Sequence, residues 1–394
     1  MSAEAAATVQ STGSEEFQTD RVVTFSAGHA VHDTYGAFLS PLLPVFRDTM
    51  GLSYTQAGTL SVFMQLPSLL QPFIGYLADR VSLRVLVFLT PAITATAMSL
   101  LGVAPTYALM AMLLIIVGCS SAVLHAVGPV MTGRFSGKSL GRAMGVWMVG
   151  GELGRTLGPL IIVAAVNTLT LEGTPWLMIG GWVASLLLFL RLRDVSGRPS
   201  APPGSIPWRK ALRFMGPILI PVAALVLVRA FMAVALTTYL PIFLTDEGAA
   251  LWYAGVALAV FEAFGVAGAL LGGTFSDRVG RRMVLFASLI TSPILMLLFL
   301  VADGWVRLPI LALLGFSSLS VVPVIMALVQ ESFPENRALA NGTYMSLSFL
   351  IRSAAVVIIG AIGDNFGMAL AFTLAAVIPF LGLPFLMMLP ARNP

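Results

Sequence analysis

Gly273-Thr274-Phe275-Ser276-Asp277-Arg278-Val279-Gly280-Arg281-Arg282 has a counterpart in Gly75-Tyr76-Leu77-Ala78-Asp79-Arg80-Val81-Ser82-Leu83-Arg84. The two aspartates are 198 positions apart (79 to 277), and Phe135 and Phe333 stand at the same interval (135 to 333). Two matches in one register point to duplication of a shorter chain. The longest polar interruption, residues 192–214, lies between the copies and carries Gly197, Pro199, Pro202, Pro203, Gly204 and Pro207. Each motif leaves one apolar run and enters the next, as a short turn at a membrane edge would. Glycine lets helices approach, Asp accepts hydrogen bonds from an open helix N-terminus, and arginine faces anionic headgroups. Two roles are open for Gly75, Asp79, Arg80 and Arg84, and for Gly273, Asp277, Arg278 and Arg282. They hold loops together, or they form a latch that breaks and re-forms as the molecule changes state.

Outward from these turns the chain is too apolar for water. Its 394 residues are 58% hydrophobic and 10% charged, against about 25% charged in soluble domains. The apolar runs are each about 20 residues, enough to cross a hydrocarbon core of about 30 Å as helix. The expected spans are 22 to 46, 55 to 78, 84 to 104, 106 to 131, 140 to 166 and 175 to 191, then 216 to 243, 251 to 275, 283 to 302, 306 to 330, 338 to 364 and 368 to 390. No alternating segments of barrel type occur, which leaves helices as the spanning structure. The expected fold is therefore an all-α membrane protein of twelve helices in two pseudo-symmetric six-helix bundles. Its divisions are a disordered tail at 1–20, a first bundle at 21–191, a linker at 192–214 and a second bundle at 215–394.

The net charge of +4 is explained by orientation and not by nucleic acid. Arg80, Arg84, Arg134, Arg142, Arg191, Arg278 and Arg282 fall on one side of the expected spans, with Arg47 and Arg307 on the other. Such asymmetry places both termini in the cytoplasm of a cell whose inner membrane holds the chain. The first 20 residues contain Glu4, Glu15, Glu16 and Asp20 and no basic residue, unlike a secretory signal. Cys119 is the single cysteine, expected as a small buried residue, and it allows neither an internal disulfide nor a thiolate metal cluster. No metal and no cofactor is expected. The chain has no Gly-rich phosphate loop, no His-Glu-x-x-His and no Gly-x-Ser-x-Gly, so neither nucleotide-driven transport nor an enzyme is supported.

Ionisable groups inside the apolar runs are the best functional signal, because each costs about 2.5 to 3.5 kcal/mol at the bilayer centre on insertion scales. In the first run His29 and Asp33 share a face at i, i+4 beside His32. A free imidazole titrates near pH 6.5, so the group is a candidate proton relay; a structural His–Asp contact between helices is the other reading. Glu152 and Arg155 are either a self-neutralising pair, or Glu152 is a candidate proton carrier and Arg155 a candidate substrate contact. Arg229 and Arg352 have no acid within one turn and need one from another helix, or an anion. Glu262 is a candidate partner of Arg229 and also a candidate proton carrier. Arg352 follows Arg155 by 197 positions (155 to 352), so the two can face each other across a cavity. Arginine's planar fork suits phosphate, phosphonate or carboxylate. His125, Tyr35 and Gln65 complete the candidate substrate contacts.

The paired Gly-x-x-x-Asp-Arg-x-Gly-Arg-Arg turns resemble the signature of the major facilitator superfamily. Gly273 to Arg282 fits fully, and Gly75 to Arg84 departs at Ser82 and Leu83. Gly28-His29 through Asp33, Gln65 through Pro72, Gly118 through His125 and Gly150 through Pro159 are similar to the fosmidomycin-resistance group, in which the helix-four His is followed by Pro-Glu where this chain has Ala126-Val127. The glycine-rich run at 150–159 also resembles the antiporter signature of drug exporters. The resemblance implies alternating access around a central cavity, with proton-coupled efflux of a small organic anion or amphiphilic drug by a monomer. Import of a phosphorylated or carboxylated metabolite, or a lipid-handling or sensor role, remain alternatives.

Overall fold

The computed structural model describes residues 16–78, 81–137, 139–194, 208–333 and 337–389. The helices are α1 (Thr19–Gly36), α2 (Leu39–Met50), α3 (Tyr54–Gln65), α4 (Gln71–Ala78), α5 (Arg84–Ser99), α6 (Tyr107–Arg134), α7 (Leu140–Leu169) and α8 (Met178–Leu192). They continue as α9 (Trp208–Val234), α10 (Leu240–Asp246), α11 (Leu251–Val279), α12 (Arg281–Val301), α13 (Arg307–Leu319), α14 (Val321–Ser332), α15 (Arg337–Phe366), α16 (Met368–Val377) and α17 (Leu383–Met387). Among the described residues there is no strand, and ten helical stretches are long and apolar enough to cross a membrane.

The runs at 22–46 and 55–78, expected as unbroken spans, are helical but interrupted. Pro41 and Pro67 explain the breaks, since proline lacks the donor that a continuous helix needs. The chain turns at residues 37–38 between α1 and α2, and tightens into a 3-10 turn, Leu66–Leu70, between α3 and α4. A π-helical turn, Ala235–Tyr239, joins α9 to α10 and presents the Tyr239 side chain to other helices.

Helices α1 to α8 pack mainly with one another, α1 on α7 and α5 on α8 and α6; in the remainder α11 packs on α13 and α9 on α15. The two sets meet where α7 lies along α11 and α3 along α15. The buried apolar residues show how far that union extends. The largest cluster includes Phe38, Leu42 and Leu60 from the first set and Tyr239, Phe243 and Phe261 from the second. At the opposite end each set has its own core, around Phe25, Phe135 and Trp147 in one and around Leu285, Val324 and Leu328 in the other.

Polar groups reinforce the joined end. Arg47 Nη1 meets Asp246 Oδ1 at 2.9 Å, Tyr54 donates to Asp246 Oδ2 at 2.7 Å, and the Arg47 guanidinium lies 3.8 Å over the Tyr54 ring. Ser53 and Gln56 form a capping box at the start of α3. Asp364, from the end of α15, accepts from the neighbouring Tyr54 and Thr55 amides at 2.6 and 3.0 Å. A carboxylate of one set thus satisfies the open helix end of the other, where the helix dipole favours negative charge. Tyr239 adds a buried hydroxyl that donates to the Val356 carbonyl at 2.8 Å and approaches the Tyr54 carbonyl at 3.3 Å.

Candidate functional site

The interior polar groups depend on how closely α7 approaches α1. A Cβ on Gly154 would lie 2.4 Å from the Ala30 carbonyl, so only glycine permits this spacing. Gly150 and Gly158 face the α1 backbone in the same way. The approach brings Trp147 onto His29, with rings stacked 3.8 Å apart, and lets the Trp147 carbonyl accept from His29 Nδ1 at 3.0 Å. His29 Nε2 then stands 3.2 Å from Asp33 Oδ2, and His32 Nδ1 stands 3.0 Å from Asp33 Oδ1. The sequence spacing placed His29 and Asp33 on one face; packing adds His125 of α6. Its Nε2 is 3.8 Å from Asp33 Oδ2 and 3.3 Å from His29 Nε2.

A second group spans the two sets. Arg155 on α7 is paired with Glu152 one turn earlier and, through Nε at 3.6 Å, with Glu262 of α11. Glu262 is only 8% exposed, whereas the Arg155 side chain keeps 45% of its surface open. Arg352 of α15 completes the array. Its Nη2 makes one long hydrogen bond, 3.5 Å, to Thr237 Oγ1, and its buried Nε has no hydrogen-bond partner. Arg229, for which Glu262 was a candidate partner, instead donates to Ser288 Oγ at 3.2 Å and to the Ser318 carbonyl at 2.7 Å. Glu262 faces Arg155 because α11 lies against α7, a relation that helix rotation decides and sequence spacing does not.

The model of the Major Facilitator Superfamily matches residues 25–355 and again 253–394. The chain belongs to this superfamily. It is 24% identical to the fosmidomycin resistance protein of Escherichia coli (strain K12) over 369 residues, covering 91% of this chain and 90% of that protein. The fold is shared with a bacterial homologue of the human lysosomal transporter Spinster in an inward-facing, unoccupied conformation (TM-score 0.79, 15% identity, 95% of this chain and 97% of that one). It is shared as well with the nucleoside transporter NupG (TM-score 0.75, 13% identity, 93% and 98%). Members of the superfamily are transporters, and this chain is a multi-pass membrane protein that carries out secondary transport of a small molecule.

The superfamily's repeated turn is unequal in the two copies. Asp79 and Arg80 lie outside the described residues, and α4 and α5 flank them through Gly75 and Arg84. In the second copy Arg281, 8% exposed, is the central residue and not its neighbours Arg278 and Arg282. It meets Asp277 Oδ1 at 2.5 Å and Glu331 Oε1 of α14 at 2.6 Å, and it donates to the Gly273 carbonyl at 3.3 Å and to Ser276 Oγ. The signal was present: Arg281 corresponds to Leu83, so one copy of the motif lacks this cation.

Two other expectations need correction. Tyr35, expected to line a cavity, is buried against Phe38 and spends its hydroxyl on the Leu177 carbonyl. Cys119, expected to be buried, is exposed on α6. Gln65 is partly buried at the end of α3. The residues of the joined end, Arg47, Tyr54, Asp246 and Asp364, carry no signal in the sequence because they lie at helix ends, where polar groups are unremarkable.

Proposed function

We propose that this protein is a proton-coupled antiporter that exports a small organic anion or anionic amphiphile, of which a phosphonate drug is one example. In this reading the two interrupted stretches, α1–α2 and α3–α4, also cross the membrane, giving twelve crossings in two six-helix bundles. Both termini face the cytoplasm of a bacterial cell, and the protein works as a monomer in the inner membrane. The joined end is then the outer face, closed by Arg47, Asp246, Tyr54 and Asp364. The end with separate cores faces the cytoplasm, so the molecule is in an inward-open state, ready to accept cargo from inside.

The observation that carries the reading is the array Glu152–Arg155–Glu262 with Arg352. Two guanidiniums and two carboxylates leave the array without net charge, which lowers its cost inside the bilayer. A bound anion competes with Glu262 for Arg155 and also takes the free Nε of Arg352. A proton on Glu262 breaks the same pair between α7 and α11, so the anion frees the two sets for the outward crossing and the proton frees them for the return. Cargo and proton are coupled because both act on one guanidinium. Arg281 with Asp277 and Glu331 braces α12 against α11 and α14 on the cytoplasmic side while the bundles rock.

Proteoliposomes holding the purified protein and a pH-sensitive dye test this directly. Addition of a phosphonate such as fosmidomycin should move protons in the opposite direction to the drug. A panel of phosphonates, phosphates and carboxylates that moves without any proton signal would overturn the reading.

A further inference from the structure

We propose that His29, Asp33 and His125 bind one divalent transition-metal ion, of the zinc or cobalt type, within the first set of helices. Three observations point there. The first is geometry: the separations among His29 Nε2, His125 Nε2 and Asp33 Oδ2 are 3.3, 3.2 and 3.8 Å. Ligand bonds of about 2.0 to 2.1 Å in a tetrahedron give ligand-to-ligand edges of about 3.3 Å. The three atoms already stand at three corners of such a site.

The second is the direction of the lone pairs. A carbonyl oxygen can only accept, so the Trp147 carbonyl, 3.0 Å from His29 Nδ1, fixes the ring proton on that nitrogen. The Ser121 carbonyl does the same for His125 Nδ1 at 2.9 Å. Both Nε2 atoms therefore turn lone pairs toward each other and toward a carboxylate oxygen. In the neutral imidazoles three acceptors converge on one point, an arrangement that a bound cation satisfies. Metal-ligating histidines almost always donate their other ring nitrogen in this manner, and ligating carboxylates are themselves hydrogen-bonded. His32 Nδ1, 3.0 Å from Asp33 Oδ1, supplies the latter contact.

The third is access and space. His29 is buried and Asp33 is partly buried, but the His125 side chain is 36% exposed, so the site opens on one side. Three protein ligands with one open position is the arrangement of exchangeable metal sites, in which water or a ligand takes the fourth place. Gly151 keeps the pocket clear: a Cβ there would lie 2.5 Å from His29 Cε1 and 3.0 Å from Asp33 Oδ2. A two-imidazole, one-carboxylate set suits zinc, iron, cobalt or nickel better than calcium or magnesium, which prefer oxygen. A metal here ties α1 to α6 and, through the Trp147 carbonyl, to α7.

The test uses the full chain in detergent, stripped with a chelator and free of any histidine tag. Titration with Co2+ should give the visible absorption of a tetrahedral ion at one equivalent, and Zn2+ should displace it and raise the melting temperature. His125→Ala and the isosteric Asp33→Asn should each weaken Co2+ binding by at least about 100-fold, since loss even of outer partners costs 10- to 100-fold. The gel-filtration profile should not change. Absence of the band together with absence of a Zn2+-dependent melting shift at millimolar metal overturns the proposal, as does equal binding by a folded variant. Neither readout depends on transport, so failure here leaves the antiport reading standing.

Discussion

Arg155 and Glu262 lie 3.6 Å apart on helices from different sets, α7 and α11, and this is the one described ion pair deep in the molecule that joins the two. A second carboxylate, Glu152, holds the same guanidinium from within α7. In the proposed antiport this shared cation is the point at which cargo and proton are exchanged.

Arg352 should matter for binding and not for folding. Its Nε is buried without a hydrogen-bond partner, and its remaining bond to Thr237 is long. Charge-assisted hydrogen bonds contribute about 1.5 to 3 kcal/mol each, so Arg352→Ala should weaken anion affinity by about 10- to 100-fold with an unchanged melting temperature. Isothermal titration of the purified variant decides. Affinity equal to wild type assigns Arg352 to packing alone.

In the proposed inward-open state, the joined end is the closed gate. Arg47 and Asp246 are partly exposed, and pairs of this kind contribute about 0.2 to 1 kcal/mol. The Tyr54 hydroxyl adds a second bond to the same carboxylate. Asp246→Ala should therefore raise the population open at that end severalfold. Distance distributions between spin labels on α2 and α10 would read it, with Cys119 replaced so that labelling is specific. An unchanged distribution removes Asp246 from the gate.

Close packing of α1 on α7 leaves no room for a side chain at Gly154. Gly154→Leu places a side chain where even a Cβ lies 2.4 Å from the Ala30 carbonyl. Overpacking costs about 1 to 3 kcal/mol, and here it also displaces Trp147 from His29. A clear fall in detergent melting temperature is expected, with a smaller fall for Gly145→Leu, where the space is open. Equal effects would show that the α1–α7 spacing is not special.

At the other end Arg281 holds two carboxylates from two helices. Arg281→Ala strands Asp277 and Glu331, and transport should slow more than binding weakens. Initial rates and equilibrium binding on the same preparation separate the two. Lost binding with normal rates would place Arg281 at the cargo site.

Much of this was legible in the sequence, for reasons that vary by residue. The paired turns announced the fold because a duplicated Gly-Asp-Arg pattern survives only where its backbone and charge are needed twice. His29 and Asp33 declared their contact through i, i+4 spacing, which any helix enforces. His125 could not be joined to them, since its place depends on how α6 packs. Glu262 was read beside Arg229, yet the rotation of α11 turns it to Arg155. The breaks at Pro41 and Pro67 were visible as prolines but hidden by the uniform apolarity around them.

The central claim, proton exchange at the shared guanidinium, rests on Glu262. The most direct measurement is anion efflux from proteoliposomes driven by an imposed pH gradient, wild type against Glu262→Gln, with substrate affinity measured alongside. The account predicts that the variant binds the anion but loses gradient-driven flux, while retaining anion-for-anion exchange. Undiminished pH-driven flux in a folded Glu262→Gln protein would contradict it.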